Sequence, residues 1–380
     1  MIFDLDANAT YAPSERLQGV IMEYWSRLGN PSSIHQSGQR ARAALEEARE
    51  AVNALVGATR RSHQTIFTSG ATEANNTVVK AQLNRPGPLV SSEIEHPCVL
   101  GPLKTLKRLG REVTFLKPNS SGQIEPLAVA EQVAPDTALV SVMAANNETG
   151  VLNDIAQIAS TVRARAPHAI IHTDAAQLCG KLPVSFEQLG VDCMTISGHK
   201  FGALSGVGAL ILRHSTQLEP LIEGGAQESK LRGGTENVLG IISLGYAAAE
   251  AHNALPVRAD SMQHVRDRFE SELLGRLTGI EVNGAGVPRL PNTSNIFISG
   301  VRSDDLVVAL DLEGITISGG AACSSGKPEP SHVLTAMGHA DERARSTVRV
   351  SFRADQTLES VAQIVSTFVR VIERIRSTNR

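Results

Sequence analysis

The chain has 380 residues, of which 42% are hydrophobic and 20% charged, and Lys+Arg 36 against Asp+Glu 39 leaves a formal net charge of -3. A domain length of about 150 residues makes two domains the natural expectation, and this ordinary composition excludes a disordered chain, a collagen-like repeat and a coiled coil. So balanced a charge gives no reason to expect direct binding of nucleic acid or a membrane.

The opening Met1-Ile2-Phe3-Asp4-Leu5-Asp6 lacks the basic and apolar regions of a signal peptide. No apolar run reaches the roughly 18 residues of a membrane helix. The cysteines Cys98, Cys179, Cys193 and Cys323 include no C-x-x-C pair, which argues against a disulfide scaffold and a structural zinc site. A cytoplasmic protein without a metal site is therefore expected. From Gln36 to Val56, Leu45, Ala48, Val52 and Leu55 fall at helical spacing. Short apolar strands follow at Ile66–Thr68, Ala138–Met143, Ala169–Thr173, Met194–Ser197 and Gly208–Leu212, and Asp154 caps a helix to Ala164. Strands alternating with helices predict an α/β layer with a mostly parallel sheet. Beyond about residue 250 the pattern changes to a smaller α+β domain. It has a charged helix from Ala259, strands at Ser294–Ile298 and Arg345–Phe352, a helix around Asp304–Glu313 and a final amphipathic helix, Thr357–Arg376.

Chemistry concentrates where strands end. Thr68-Ser69-Gly70-Ala71-Thr72 joins a strand to a helix, a geometry that offers free N–H groups to an anion. Alone, it reads first as an ordinary strand-to-helix turn with a Ser or Thr cap. Lys200, in Ser197-Gly198-His199-Lys200, either loses its charge by desolvation and becomes a nucleophilic amine or snorkels to solvent. Asp174 either points into the crevice at the strand's carboxyl end or caps a helix. Together the three describe a site for pyridoxal 5'-phosphate. The lysine would make a Schiff base, the aspartate would hold the ring nitrogen, and the turn would hold the phosphate.

With these residues in hand, the chain resembles the class V, fold type I cysteine desulfurases of the NifS/IscS kind. The likeness is carried in order by Gly29 to His35, Phe67 to Asn76, Glu95-His96, Asn146 to Val151, Asp174 to Gln177, Ser197 to Lys200, Arg232 to Thr235 and Gly320 to Pro330. The resemblance implies a large domain, residues 14–250, with a seven-stranded sheet flanked by helices. It implies a small domain from residues 1–13 and 251–380 that carries the catalytic cysteine in a loop at about 318–330. Lys200 would carry the cofactor and Asp174 would pair with its ring nitrogen. Gln177 and Asn147 would lie by the phenolic oxygen, and His96 would stack on the ring and move protons. Ala71, Thr72, Ser197 and His199 would hold the phosphate, joined by Thr235 from the other subunit of a homodimer. Arg349 would clamp the substrate carboxylate.

The resemblance further implies that L-cysteine is converted to L-alanine while Cys323 takes up a persulfide for a sulfur-acceptor protein. Small residues around Cys323 predict an exposed, mobile loop, whereas Cys193 sits in an apolar strand and reads as core. A selenocysteine lyase or another class V lyase is the alternative, and a non-catalytic sulfur-delivery scaffold is the alternative of a different class. The acceptor's pathway stays open among iron–sulfur assembly, tRNA thiolation and DNA phosphorothioation. Asp6-Ala7-Asn8-Ala9-Thr10-Tyr11 departs from the family's more usual Asp-Asn-Ala-Ala-Thr-Thr, which leaves its contacts open. The chain also stops soon after its last predicted helix, without the extension that housekeeping members use to dock an iron–sulfur scaffold, which leaves room for an acceptor different from theirs.

Overall fold

The computed structural model describes residues 2–26, 28–319 and 329–378. Cys323, with residues 320–328 of its predicted loop, lies outside the described residues. The first part of the chain runs β1 (Phe3–Asp4), α1 (Glu15–Trp25), α2 (Gln36–Val56), β2 (His63–Thr68), α3 (Ala71–Lys80), β3 (Leu89–Ser92) and α4 (Pro97–Arg108). It continues through β4 (Val113–Leu116), α5 (Pro126–Gln132), β5 (Leu139–Ser141), α6 (Ile155–Arg165), β6 (Ile170–Asp174), α7 (Phe186–Leu189), β7 (Cys193–Ser197) and β8 (Gly208–Arg213). β2 to β8 form a seven-stranded sheet in the order β2-β8-β7-β6-β5-β3-β4. Neighbours are parallel throughout except around β8, which runs against both β2 and β7. The mostly parallel seven-stranded sheet expected from the sequence is present.

Its strands are apolar on both sides because both faces are covered. Successive residues alternate between two cores, as the pleat requires. Val90, Val140, Ile171, Met194 and Ile211 join α2, α6 and the long helix that follows the sheet. Their neighbours Leu89, Leu139, Ile170, Cys193 and Leu210 face α3 and α4.

The rest of the chain comprises α8 (Val238–Arg276), β9 (Ile280–Val282), β10 (Thr293–Ile298), α9 (Ser303–Asp311), β11 (Ile315–Thr316), β12 (Ser318–Gly319), α10 (His332–Ala336), α11 (Asp341–Arg345), β13 (Thr347–Ser351) and α12 (Leu358–Thr378). β12-β13-β10-β9 form an antiparallel sheet, and β1 pairs with β11. A third core lies here, with Val361, Ile364, Phe368 and Ile372 of α12 packed on Ile296, Val348 and Val350. Phe3 and Leu5 also belong to it. The helix predicted to begin at Ala259 instead begins at Val238 and continues through Pro256. Pro256 leaves the His252 carbonyl without its helical donor, and both residues are exposed, so water can take that bond. α8 thus enters two cores, through Leu244 and Ala248 at one end and Phe269 and Leu273 at the other.

Candidate active site

A cavity of about 830 Å³ opens at the carboxyl ends of the parallel strands, the place where open α/β sheets bind ligands. β2 delivers Ser69, Gly70, Ala71 and Thr72 to its wall. Gly70 caps α3 without a side-chain hydrogen bond, so the helix meets the cavity as an uncapped positive end. β6 ends on Asp174, whose Oδ1 accepts from the Ala176 N–H at 2.9 Å and so shapes the turn that carries Gln177. β7 ends on Ser197 and passes into the tight turn Gly198–Lys200.

Lys200 donates through Nζ to the carbonyls of Asn8 at 2.8 Å and Ala9 at 2.9 Å. Burial and the nearby Arg349 charge lower its pKa to about 8, partly offset by Asp174 and Asp6. A useful fraction of this amine is therefore neutral, and so nucleophilic, near neutral pH. His199 beside it is pushed down to about 4 by burial and by Lys200, and its Nδ1 meets the Thr10 hydroxyl at 3.1 Å.

Asp174 Oδ2 accepts from Nδ2 of the fully buried Asn75 at 2.7 Å. His96 caps α4, its Nδ1 accepting from the Cys98 N–H at 3.2 Å. With Nδ1 an acceptor, the ring proton of the neutral imidazole sits on Nε2. Burial keeps this ring's pKa below the ordinary value, against the pull of Asp174. The Cys98 thiol lies 2.9 Å from the same Nδ1, and burial and Asp174 push it up to about 12.

Arg349, on β13, is 9% exposed. Its Nη2 pairs with Asp6 at 2.6 Å and its Nη1 donates to the Asn147 carbonyl at 3.0 Å, while Nε is buried without a partner among the described residues. Glu148 lines the same wall and accepts from the Ser331 hydroxyl. Burial raises the Glu148 carboxyl to about 7.

Of the residues named from the sequence, Ala71, Thr72, His96, Asn147, Asp174, Gln177, Ser197, His199, Lys200 and Arg349 line this one cavity. Thr235 is exposed and does not line it. Sequence reasoning missed Asn8, Asn75, Lys181, Glu148 and His332. Asn8, in the divergent N-terminal segment, is fully buried and bonds Thr293, Asn292, Ser351, Gln177, Lys181 and Lys200. A polar residue among small ones is the only local signal it carries, and that signal does not separate a hub from a turn.

The aminotransferase class-V family model matches residues 3–364. A protein named cysteine desulfurase IscS from Dictyoglomus turgidum is 39% identical over 355 residues, covering 92% of this chain and 89% of that protein. Among solved structures, a NifS-like protein from Rickettsia africae aligns with a TM-score of 0.89 at 31% identity, over 98% of this chain and 100% of that one. One described as SspA in complex with cysteine aligns with a TM-score of 0.81 at 31% identity, over 94% of this chain and 100% of that one.

Proposed function

This chain belongs to the class-V aminotransferase family and is a pyridoxal-phosphate-dependent cysteine desulfurase, and within that activity we propose that Lys200 holds the cofactor, His96 moves protons, Arg349 binds the substrate carboxylate and Cys323 receives the sulfur. The observation that carries this division of labour is the convergence of the Lys200 amine, the Asp174 carboxylate and the uncapped start of α3 on one cavity. The residues present fit the cofactor. Lys200 would hold its aldehyde carbon, Asp174 its ring nitrogen, and Ala71, Thr72, Ser197 and His199 its phosphate, with Gln177 and Asn147 at its phenolic oxygen. When bound, pyridoxal phosphate supplies an electron sink that permits loss of the substrate's α-proton.

This chain's own side chains do the rest. Arg349 is held ready by Asp6 and the Asn147 carbonyl, and it lines the cavity, where its guanidinium can meet an incoming carboxylate. His96 offers a proton at Nε2. Burial disfavours the thiolate at the other three cysteines, raising Cys98 and Cys179 to about 12 and Cys193 well above its ordinary value. As the resemblance implies, the Cys323 thiolate attacks the substrate sulfur; the carbon–sulfur bond breaks, its electron pair takes up a proton at the β-carbon, L-alanine leaves and a persulfide remains on Cys323. An acceptor protein then takes that sulfur, with iron–sulfur assembly as one destination.

The division into residues 14–250 and the two flanking segments is supported by the core shared by Phe3, Leu5 and α12. The exposed Thr235 supports a homodimer in which it serves the partner's phosphate. Free thiols at Cys98, Cys179 and Cys193 suit a reducing cytoplasm. Incubating the protein with L-cysteine and assaying alanine, sulfide and the mass of the Cys323 peptide tests the reading. Added sulfur on Cys98, Cys179 or Cys193 in place of Cys323 would overturn it.

A further inference from the structure

Lys181 is 2% exposed, deep behind the cavity, and no step proposed above uses it. Its Nζ donates to Asn8 Oδ1 at 2.7 Å and to Gln177 Oε1. Those acceptors match the hydrogens of a neutral amine; an ammonium would carry a third donor. Neutrality also fits the surroundings. Burial lowers its pKa well below the ordinary value, Lys200 and Arg349 act on it as like charges, and among the described residues only the Cys179 thiol acts the other way.

The consequence falls on Gln177. Its Oε1 is taken by Lys181, so its Nε2 is the end that donates, and it does so to the Asn8 carbonyl at 3.0 Å. That same carbonyl receives the Lys200 amine. The turn is fixed to this arrangement by Gly180, whose φ is +78° and whose added Cβ would sit 2.6 Å from the Cβ of Phe201, the residue after Lys200. Resting on the proposed placement of the cofactor, we infer that Lys181 is a positioning residue: its amine locks the Gln177 amide with the N–H end toward the cofactor and clamps Asn8, which cradles Lys200. A flipped Gln177 would set a carbonyl oxygen against the cofactor's phenolic oxygen, where two acceptors repel.

The test compares the holoenzyme with Lys181→Met and Lys181→Gln by titrating the visible band of the bound cofactor and timing its loss on dialysis. Losing a donor to the phenolic oxygen leaves that oxygen more basic. The midpoint of the band in Lys181→Met should therefore rise by roughly half a unit, about threefold in proton affinity. Cofactor loss should quicken roughly tenfold. Lys181→Gln, one bond shorter but with both N–H groups on one nitrogen, should restore most of each. A side chain that only filled space would change stability and leave the midpoint alone, so an unmoved midpoint in folded Lys181→Met overturns the inference. Should that variant not fold, Gln177→Leu must give the same rise, and its absence overturns the inference equally. Borohydride reduction of the parent separates the two readings. An adduct on a residue other than Lys200 brings down both, whereas an adduct on Lys200 with an unmoved midpoint brings down this one alone.

Discussion

Burying an amine costs the fold stability, and at Lys200 that cost becomes a pH dependence. Its folded pKa of about 8 lies below the ordinary 10.5, so between those values the unfolded chain holds the extra proton. Stability then rises with pH across that window. In cofactor-free protein, Lys200→Met should remove this rise, seen as denaturant midpoints that differ from the parent's more below the window than above it. Lys200→Ala should also lose the borohydride-reducible lysine adduct and the yellow colour of the parent. Cys323→Ser should keep the colour and still bind L-cysteine through Arg349, yet release alanine at least roughly a hundredfold more slowly. Release near the parent's rate would favour a lyase that dispenses with that thiol. Lys200 and Asp174 were legible because each closes an apolar strand. Asn75 and Lys181 were not, since each sits among residues that could equally be helix or turn, and their importance arises from partners distant in the chain.

At the level of elements, periodicity succeeded where burial is one-sided or complete. α2 and α12 present apolar stripes, and β5, β6 and β7 are short apolar runs. β3 ends in Ser91-Ser92, whose hydroxyls bond the Ser141 carbonyl and Glu95, so its buried character is hidden behind polar letters. His172 does comparable work inside β6, bridging Ser141 of β5 at 2.8 Å and Thr195 of β7 at 3.1 Å. Burial pushes its pKa from 6.5 to about 3. The unfolded chain therefore takes up a proton first as pH falls, and stability drops between those values. His172→Asn should flatten that acid limb in denaturant titrations, while forfeiting about 1 kcal/mol for the bridge it shortens. α2 and α8 cross where Gly245 meets Ala48, and an added Cβ would lie 2.4 Å from the Ala48 Cα. Gly245→Val should cost about 1–3 kcal/mol in equilibrium unfolding by forcing the helices apart.

For the whole molecule, the proposed dimer makes a claim that one chain cannot satisfy alone. Thr235→Ala should weaken cofactor retention, and dimers mixed with a Lys200→Ala chain should show the loss in the partner's site rather than its own. A fully active monomer in sedimentation would exclude this. The exposed Met22, Trp25, Leu28 and Ile34 are apolar surface that a second copy could cover. The long span of α8 was illegible because Pro256 reads as a break, and only its exposure lets the helix pass. The order in which the protein is made brings out something else. Chains emerge from the ribosome amino end first, yet Phe3 pairs with Ile315, and Asn8 is anchored by Thr293 and Ser351. The oldest residues must wait, unplaced, for nearly the youngest. The large sheet can assemble early, but the floor beneath Lys200 is laid last, so a nascent chain still short of β13 should not retain the cofactor that the finished one holds.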